Sequence, residues 1–181
     1  MIYIKPYYTK KEYQELVKSI HIVCTTNEQK NEHIKGFFDK HKINYIERSL
    51  KTGDYCFMIP KNETLGFEKD TYFTDELCIE RKNSLGELAG SINNEAFHFE
   101  LKRAQNIDNK FLIVEQQGGW NDILSHNYRN DYNEKSFYNT LCTLMVSYGL
   151  KICFVPKEEI GLMIWTICKS VLNKYVLHES V

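Results

Sequence analysis

The chain has 181 residues, 43% of them hydrophobic, with 23 Lys and Arg against 24 Asp and Glu and a formal net charge of −1. That length supports one buried core and is short for two full domains. The aromatic content of 13% excludes a disordered chain, no apolar run approaches the ~18 residues of a membrane-spanning helix, and the balanced charge excludes a generally basic nucleic-acid coat.

The N-terminal stretch MIYIKPYYTKKEYQ reaches charged and aromatic residues too early for a secretory signal. Residues 9–19 (TKKEYQELVKS) read as a short helix, with Thr9 as N-cap and Glu12 as its capping-box partner. A strand is predicted over 20–25, a helix over 27–41 with Ile34, Phe37 and Phe38 on one face, and strands over 43–49 and 54–60 joined through Thr52-Gly53. Residues 61–75 form a polar connection to a strand over 76–82 (ELCIERK), followed by helices near 84–91 and 94–107.

The second half alternates more regularly. FLIVEQQ (111–117) is a strand, Gly118-Gly119 opens a polar loop to about residue 134, and 135–148 is a helix stopped by Gly149. KICFV (151–155) is a further strand, and 157–177 a long final helix. Strands that first meander and then alternate with helices imply an α/β class with a mixed central sheet flanked by helices. The six cysteines, Cys24, Cys56, Cys78, Cys142, Cys153 and Cys168, form no CxxC pair and each sits in an apolar run. They read as free thiols in a reducing cytoplasm, and neither they nor the scattered histidines have zinc-site spacing.

The strand ELCIERK carries the strongest chemical signal. Side chains alternate faces along a strand, so Cys78, Glu80 and Lys82 share one face and Arg81 lies on the other. Its charged end runs directly into a Ser-initiated helix, and open sheets place their sites at such strand ends. Asp54 follows Gly53 at the start of DYCFMIP and can ligate a metal beside Glu80; its plain alternative is a turn aspartate. Glu100 falls on the apolar stripe of its helix, where a buried carboxylate needs a cation: Lys82, Arg81 or a metal; the plain alternative is a half-exposed, snorkelling glutamate. Asp54, Glu80 and Lys82 together make the D…ExK arrangement of metal-dependent phosphodiesterases. Two carboxylates hold Mg²⁺ or Mn²⁺, the metal polarises the phosphate, and the lysine orients water. The alternative is a surface ion pair plus a turn.

Gly53-Asp54-Tyr55, then Ile79-Glu80-Arg81-Lys82, then Ser84-Leu85-Gly86-Glu87-Leu88 resemble the nuclease domain of the XPF/Mus family. Phe97 with Glu100-Leu101 and the strand Leu112–Glu115 extend the resemblance to roughly residues 20–175. It implies a PD-(D/E)xK, restriction-endonuclease-like fold and a Mg²⁺- or Mn²⁺-dependent endonuclease acting on branched or flapped DNA in repair or recombination. It carries metal binding to Asp54 and Glu80, the catalytic lysine role to Lys82, the upstream acid to Glu28 and the motif arginine to Arg81; Glu28, Glu87 or Glu100 would complete the metal shell. The chain departs from the family pattern at Thr25 and Asn27, and by one extra residue before Glu87. A catalytically inactive DNA-binding or partner subunit, and another PD-(D/E)xK nuclease such as a junction resolvase, are the alternatives.

Further expectations concern partners and setting. A single domain over 1–181, without a helix-hairpin-helix or helicase domain, suits a cytoplasmic protein of bacterial or phage origin. Lys61 and Lys69, Lys102 and Arg103, and Tyr128 and Arg129 are candidate DNA contacts. The final helix has one apolar stripe of Ile160, Met163, Ile164, Ile167 and Val171, and a second of Leu162, Trp165, Leu172 and Val176. The second stripe suggests a homodimer through the C-terminal helical region, which the resemblance also implies. The alternative is that both stripes are core.

Overall fold

The structure is a computed structural model that describes residue 5 and residues 7–176. Helix α1 (Lys10–Lys18) starts at the expected capping box: Thr9 accepts from the Glu12 N–H while the Glu12 carboxylate accepts from the Thr9 N–H. Strand β1 (His21–Cys24) follows. Helix α2 (Glu32–His41) begins later than residue 27. The intervening residues turn instead, with the Glu28 N–H donating to the Thr25 carbonyl and the Glu28 carboxylate held by Arg81. The helix ends at Lys42 in the left-handed region (φ 55°).

The two strands expected to be joined through Thr52-Gly53 are not neighbours. Strand β2 (Asn44–Glu47) lies parallel to β1, and β3 (Tyr55–Ile59) lies antiparallel on β1's other side. Helix α2 is the crossover that makes a parallel β1–β2 pair possible. The 48–53 segment then carries the chain over the end of β1, tied by Arg48 N–H to Cys24 O (3.0 Å) and Thr25 N–H to Asp54 O (2.8 Å). The 61–75 connection holds a 3-10 turn (Glu63–Leu65) and a short strand β4 (Thr71–Tyr72) paired with β3.

Strand β5 (Leu77–Lys82) is antiparallel to β3 and parallel to β6 (Asn109–Glu115), which is parallel to β7 (Lys151–Val155). The sheet order is β2-β1-β3-β5-β6-β7, with β4 attached to β3. Helices α3 (Leu85–Ser91) and α4 (Glu95–Arg103) follow β5; α4 stops short of residue 107, at the C-cap Ala104. The expected polar loop after Gly119 contains a helix, α5 (Trp120–Leu124). The Asp122 carboxylate ties its start to the flanking loop, accepting from the Gly118 N–H and from Asn127, and Ile123 is buried. Helix α6 (Glu134–Tyr148) and, after a 3-10 turn, helix α7 (Ile160–Val176) complete the fold. The last position of the predicted 157–177 helix lies outside the described residues.

The sheet separates two apolar cores. One contains Leu16, Ile34, Phe38, Phe57 and Ile164, packed by α1, α2 and α7. The other contains Leu88, Phe97, Leu101, Val114 and Leu141, packed by α3, α4 and α6. A third cluster of Val23, Cys56 and Met58, with Ile46, Leu50 and Tyr72 against it, draws no member from a helix. Of the second stripe of α7, Leu172 and Val176 are buried in this chain's own core and Leu162 is half exposed. All six cysteines are free. Among the described residues no helix is long and apolar enough to cross a membrane.

Candidate active site

Antiparallel pairing of β3 with β5 places Tyr55 opposite Ile79, so the next position outward on each strand is Asp54 on one and Glu80 on the other. The Asp54 N–H donates to the Ile79 carbonyl (2.7 Å), and the Asp54 carboxylate accepts from the Arg81 N–H (2.8 Å). Gly53 makes this approach possible. It has φ +76°, and a Cβ there would fall 2.6 Å from Cys78 Sγ and 3.0 Å from the Ile79 carbonyl oxygen.

Two carboxylates thus share one end of the sheet with little water. Burial and the charge of Glu80 push Asp54 up to about 8, against the opposing Arg81 N–H. Burial also pushes Glu80 up, although Lys82 opposes it. The Lys82 ammonium lies 2.5 Å from Glu80 Oε1. Burial disfavours that charge, but Glu80 and Asp54 outweigh it and raise Lys82 above its ordinary value. Lys82 is therefore a hydrogen-bond donor at neutral pH and not a free base.

Glu100 approaches from α4. Its charge acts on Glu80, one oxygen pairs with Arg103, and Oε2 is buried without a hydrogen-bond partner among the described residues. Of the cations expected for it, Lys82, Arg81 or a metal, neither side chain is its partner: Arg103, one helical turn on, takes one oxygen, and the other is left for a metal. Buried, mutually repelling carboxylates with an orphaned oxygen nearby are a donor set that fits a hard divalent cation. Among the described residues, no group of three or more His, Cys, Asp or Glu is gathered closely enough to hold a metal by itself. The remaining ligands would come from backbone carbonyl, water or phosphate.

Arg81 points to the opposite face of β5 and is 4% exposed. Its guanidinium donates to Glu115 (Nε, 2.7 Å) and to Glu28 (3.0 Å), and His33 Nε2 meets the same Glu115 oxygen at 2.8 Å. Glu28 acts on Asp54 through its charge, but its carboxylate is engaged by Arg81. Glu87 is exposed and accepts from the Asn83 N–H (2.9 Å), while its own N–H donates to Ser84 Oγ (3.1 Å), which starts α3. Sequence reading passed over Glu115 and His33 in this cluster. The available signal for Glu115 was an acid ending the strand next to Arg81.

The candidate DNA contacts divide by position. Lys61 and Lys69 follow the far end of β3, about 15 Å from Asp54 at ~3.3 Å per residue, and Lys61 pairs with Glu63. Arg103 lies beside Glu100, and Lys102 sits over the Phe99 ring. Tyr128 and Arg129 lie in a loop packed on the start of α3, where the Arg129 carbonyl oxygen is 3.1 Å from a Cβ position on Gly86.

The profile described as "ERCC4 domain" matches residues 25–161. No curated protein sequence matches the chain. Among solved structures, XPF from Aeropyrum pernix is similar at 19% identity and a TM-score of 0.60, over 87% of this chain and 71% of that one. XPF from Aeropyrum pernix in complex with DNA is similar at 18% identity and 0.59, over 85% and 66%. At these identities the likeness is one of fold.

Proposed function

The chain belongs to the ERCC4 domain family, and on that premise we propose that it is a Mg²⁺- or Mn²⁺-dependent endodeoxyribonuclease that cuts branched or flapped DNA in repair or recombination. The observation that carries this reading is the pairing of Asp54 with Glu80 at one sheet end, both carboxylates held above their usual range by burial. A cation bound there supplies Lewis-acid activation of the phosphodiester and offsets the charge that develops on it. Asp54 and Glu80 would hold it, with Glu100 Oε2, buried and without a hydrogen-bond partner among the described residues, as a further candidate oxygen.

The chain's own groups divide the remaining work. The Arg81 N–H fixes the orientation of Asp54. Lys82, kept protonated by Glu80 and Asp54, donates a hydrogen bond that aligns the attacking water and steadies negative charge on the phosphate oxygens. The Arg81–Glu28–Glu115 cluster ties β5 to β6 and to the turn after β1, on the face of β5 opposite Glu80 and Lys82.

A second copy completes the proposal. Leu162, half exposed on α7, and Trp165, partly buried on the same stripe, are apolar positions open to a homodimer contact. Light scattering at high micromolar concentration is expected to report twice the chain mass, and a monomer there counts against pairing.

The deciding experiment is a cleavage panel with Mg²⁺ or Mn²⁺ on single-stranded, duplex, flap, fork and four-way DNA. Metal-dependent nicking of a branched substrate is expected. DNA binding without cleavage of any substrate would instead favour the inactive partner subunit.

A further inference from the structure

A groove of 710 Å³ lies beside the carboxylates, between residues 48–52 and the C-terminal end of α4. Both walls lead to the site. Thr52 in one wall directly precedes Gly53-Asp54, and in the other Arg103 pairs with Glu100 while Ile107 packs on Cys78, two residues before Glu80 on the same strand face. The floor is apolar and aromatic, from Leu50, Tyr72 and Ile107. Leu50 and Tyr72 belong to the part of the sheet that no helix covers, and Ile107 closes the floor from just past the end of α4.

The rim is cationic. Arg48 and Lys51 are exposed, and neither takes part in the ion pairs formed among the described residues. The Arg48 guanidinium stacks over the Tyr72 ring at 4.3 Å, which fixes its place and leaves its N–H edge for an anion. Asp75 is the one carboxylate in the lining.

We infer that this groove seats an unpaired DNA strand continuous with the phosphate being cut, with bases on the Tyr72–Leu50–Ile107 floor and phosphates on Arg48 and Lys51. The inference rests on the nuclease reading for its direction but not for its binding. Duplex DNA offers a protein charged phosphate rails and keeps its base faces stacked inside. An apolar, aromatic floor between cations matches a strand whose bases are free to lie down. The site would then take substrates in which single-stranded DNA adjoins the scissile bond.

The test measures binding in EDTA, by fluorescence anisotropy, of a labelled single-stranded oligonucleotide and of a blunt duplex. An Arg48→Ala/Lys51→Ala double variant with unchanged melting temperature is expected to lose about tenfold or more on the single strand. Its log-affinity slope against log salt should flatten by about 0.7 per lost contact. Duplex affinity should stay within about twofold of the starting protein. Photocrosslinking of a 5-iodouracil strand to the unaltered protein should map to Tyr72.

Equal losses on both DNAs, no loss on either, or crosslinks confined to the His126–Arg129 loop would overturn the groove. The two readings separate cleanly. Single-strand binding through Arg48 and Lys51 with no cleavage under any metal defeats the nuclease and keeps the groove. Cleavage of a flap that the double variant performs unchanged defeats the groove and keeps the nuclease.

Discussion

The Asp54 carboxylate accepts the backbone N–H of Arg81 at 2.8 Å, so the acid that precedes β3 is fastened to the strand that carries Glu80. A side chain here takes the place of the next ladder bond between β3 and β5. The same contact stabilises the ionised form of Asp54, while burial and Glu80 act against it. The site thus holds a carboxylate in place and leaves its charge to be met by something else.

Loss of either carboxylate should remove catalysis without removing binding. Asp54→Asn and Glu80→Gln are expected to bring cleavage of a flapped substrate to background. Their DNA affinity should be equal or tighter, because one negative charge near the phosphates is gone. Lys82→Ala should cost about 10²-fold or more in rate with a smaller effect on affinity. Wild-type turnover by these proteins, or undiminished activity of the parent in EDTA, would sink the mechanism.

The raised Asp54 value has a direct consequence for stability without metal. Its carboxyl titrates near 3.8 when unfolded and about 8 when folded. The fold therefore binds the proton more tightly, and this contribution is full below about 4 and lost as pH rises towards 8. Asp54→Asn removes that penalty. In EDTA it should be more stable than the parent at pH 7–8, with a ceiling of about 6 kcal/mol set by the shift from 3.8 to about 8 at ~1.4 kcal/mol per unit, and the gap should close near pH 4. Thermal melts across that range decide it; a constant offset would contradict it.

Arg81 is a buried cation between two carboxylates. Arg81→Ala strands Glu28 and Glu115 and should cost about 3–5 kcal/mol, read as a shifted urea midpoint. Glu28→Gln keeps the Glu115 contact and a hydrogen-bond acceptor at position 28, and should cost less. Equal, small losses would show that the cluster does not tie the sheet together.

Gly53→Ala places a methyl 2.6 Å from Cys78 Sγ at a backbone of φ +76°. Left-handed strain of about 1–2 kcal/mol adds to the steric push. Because Asp54 is the next residue, cleavage should fall more steeply than stability. The comparison of rate with urea midpoint checks this.

The placement of the candidate site residues was legible wherever local chemistry is strong. Period-two alternation put Glu80 and Lys82 on one face of β5 and Arg81 on the other, and the structure keeps that division. The Thr9–Glu12 box and the stop at Gly149 are likewise short-range: a cap or a left-handed turn needs only its near neighbours. The helix α5 was not legible, because five residues are too few to show a helical period and what seats them is Ile123, buried in a core built from remote parts of the chain.

Strand adjacency was decided only by the tertiary structure. Nothing local to 43–49 and 54–60 says that β1 lies between them; the α2 crossover and the core on both sides of the sheet do. The same long-range pairing sets which cation meets which acid on β5, so Glu28 finds Arg81 across 53 positions of chain, whereas Glu100 meets Arg103 within its own helix. Sequence alone determined the residue types that can bind a divalent cation and the strand face they occupy, since both follow from covalent chemistry and a two-residue repeat. Folding decided their distances, their burial and hence their pKa values, since these depend on atoms brought together from remote parts of the chain.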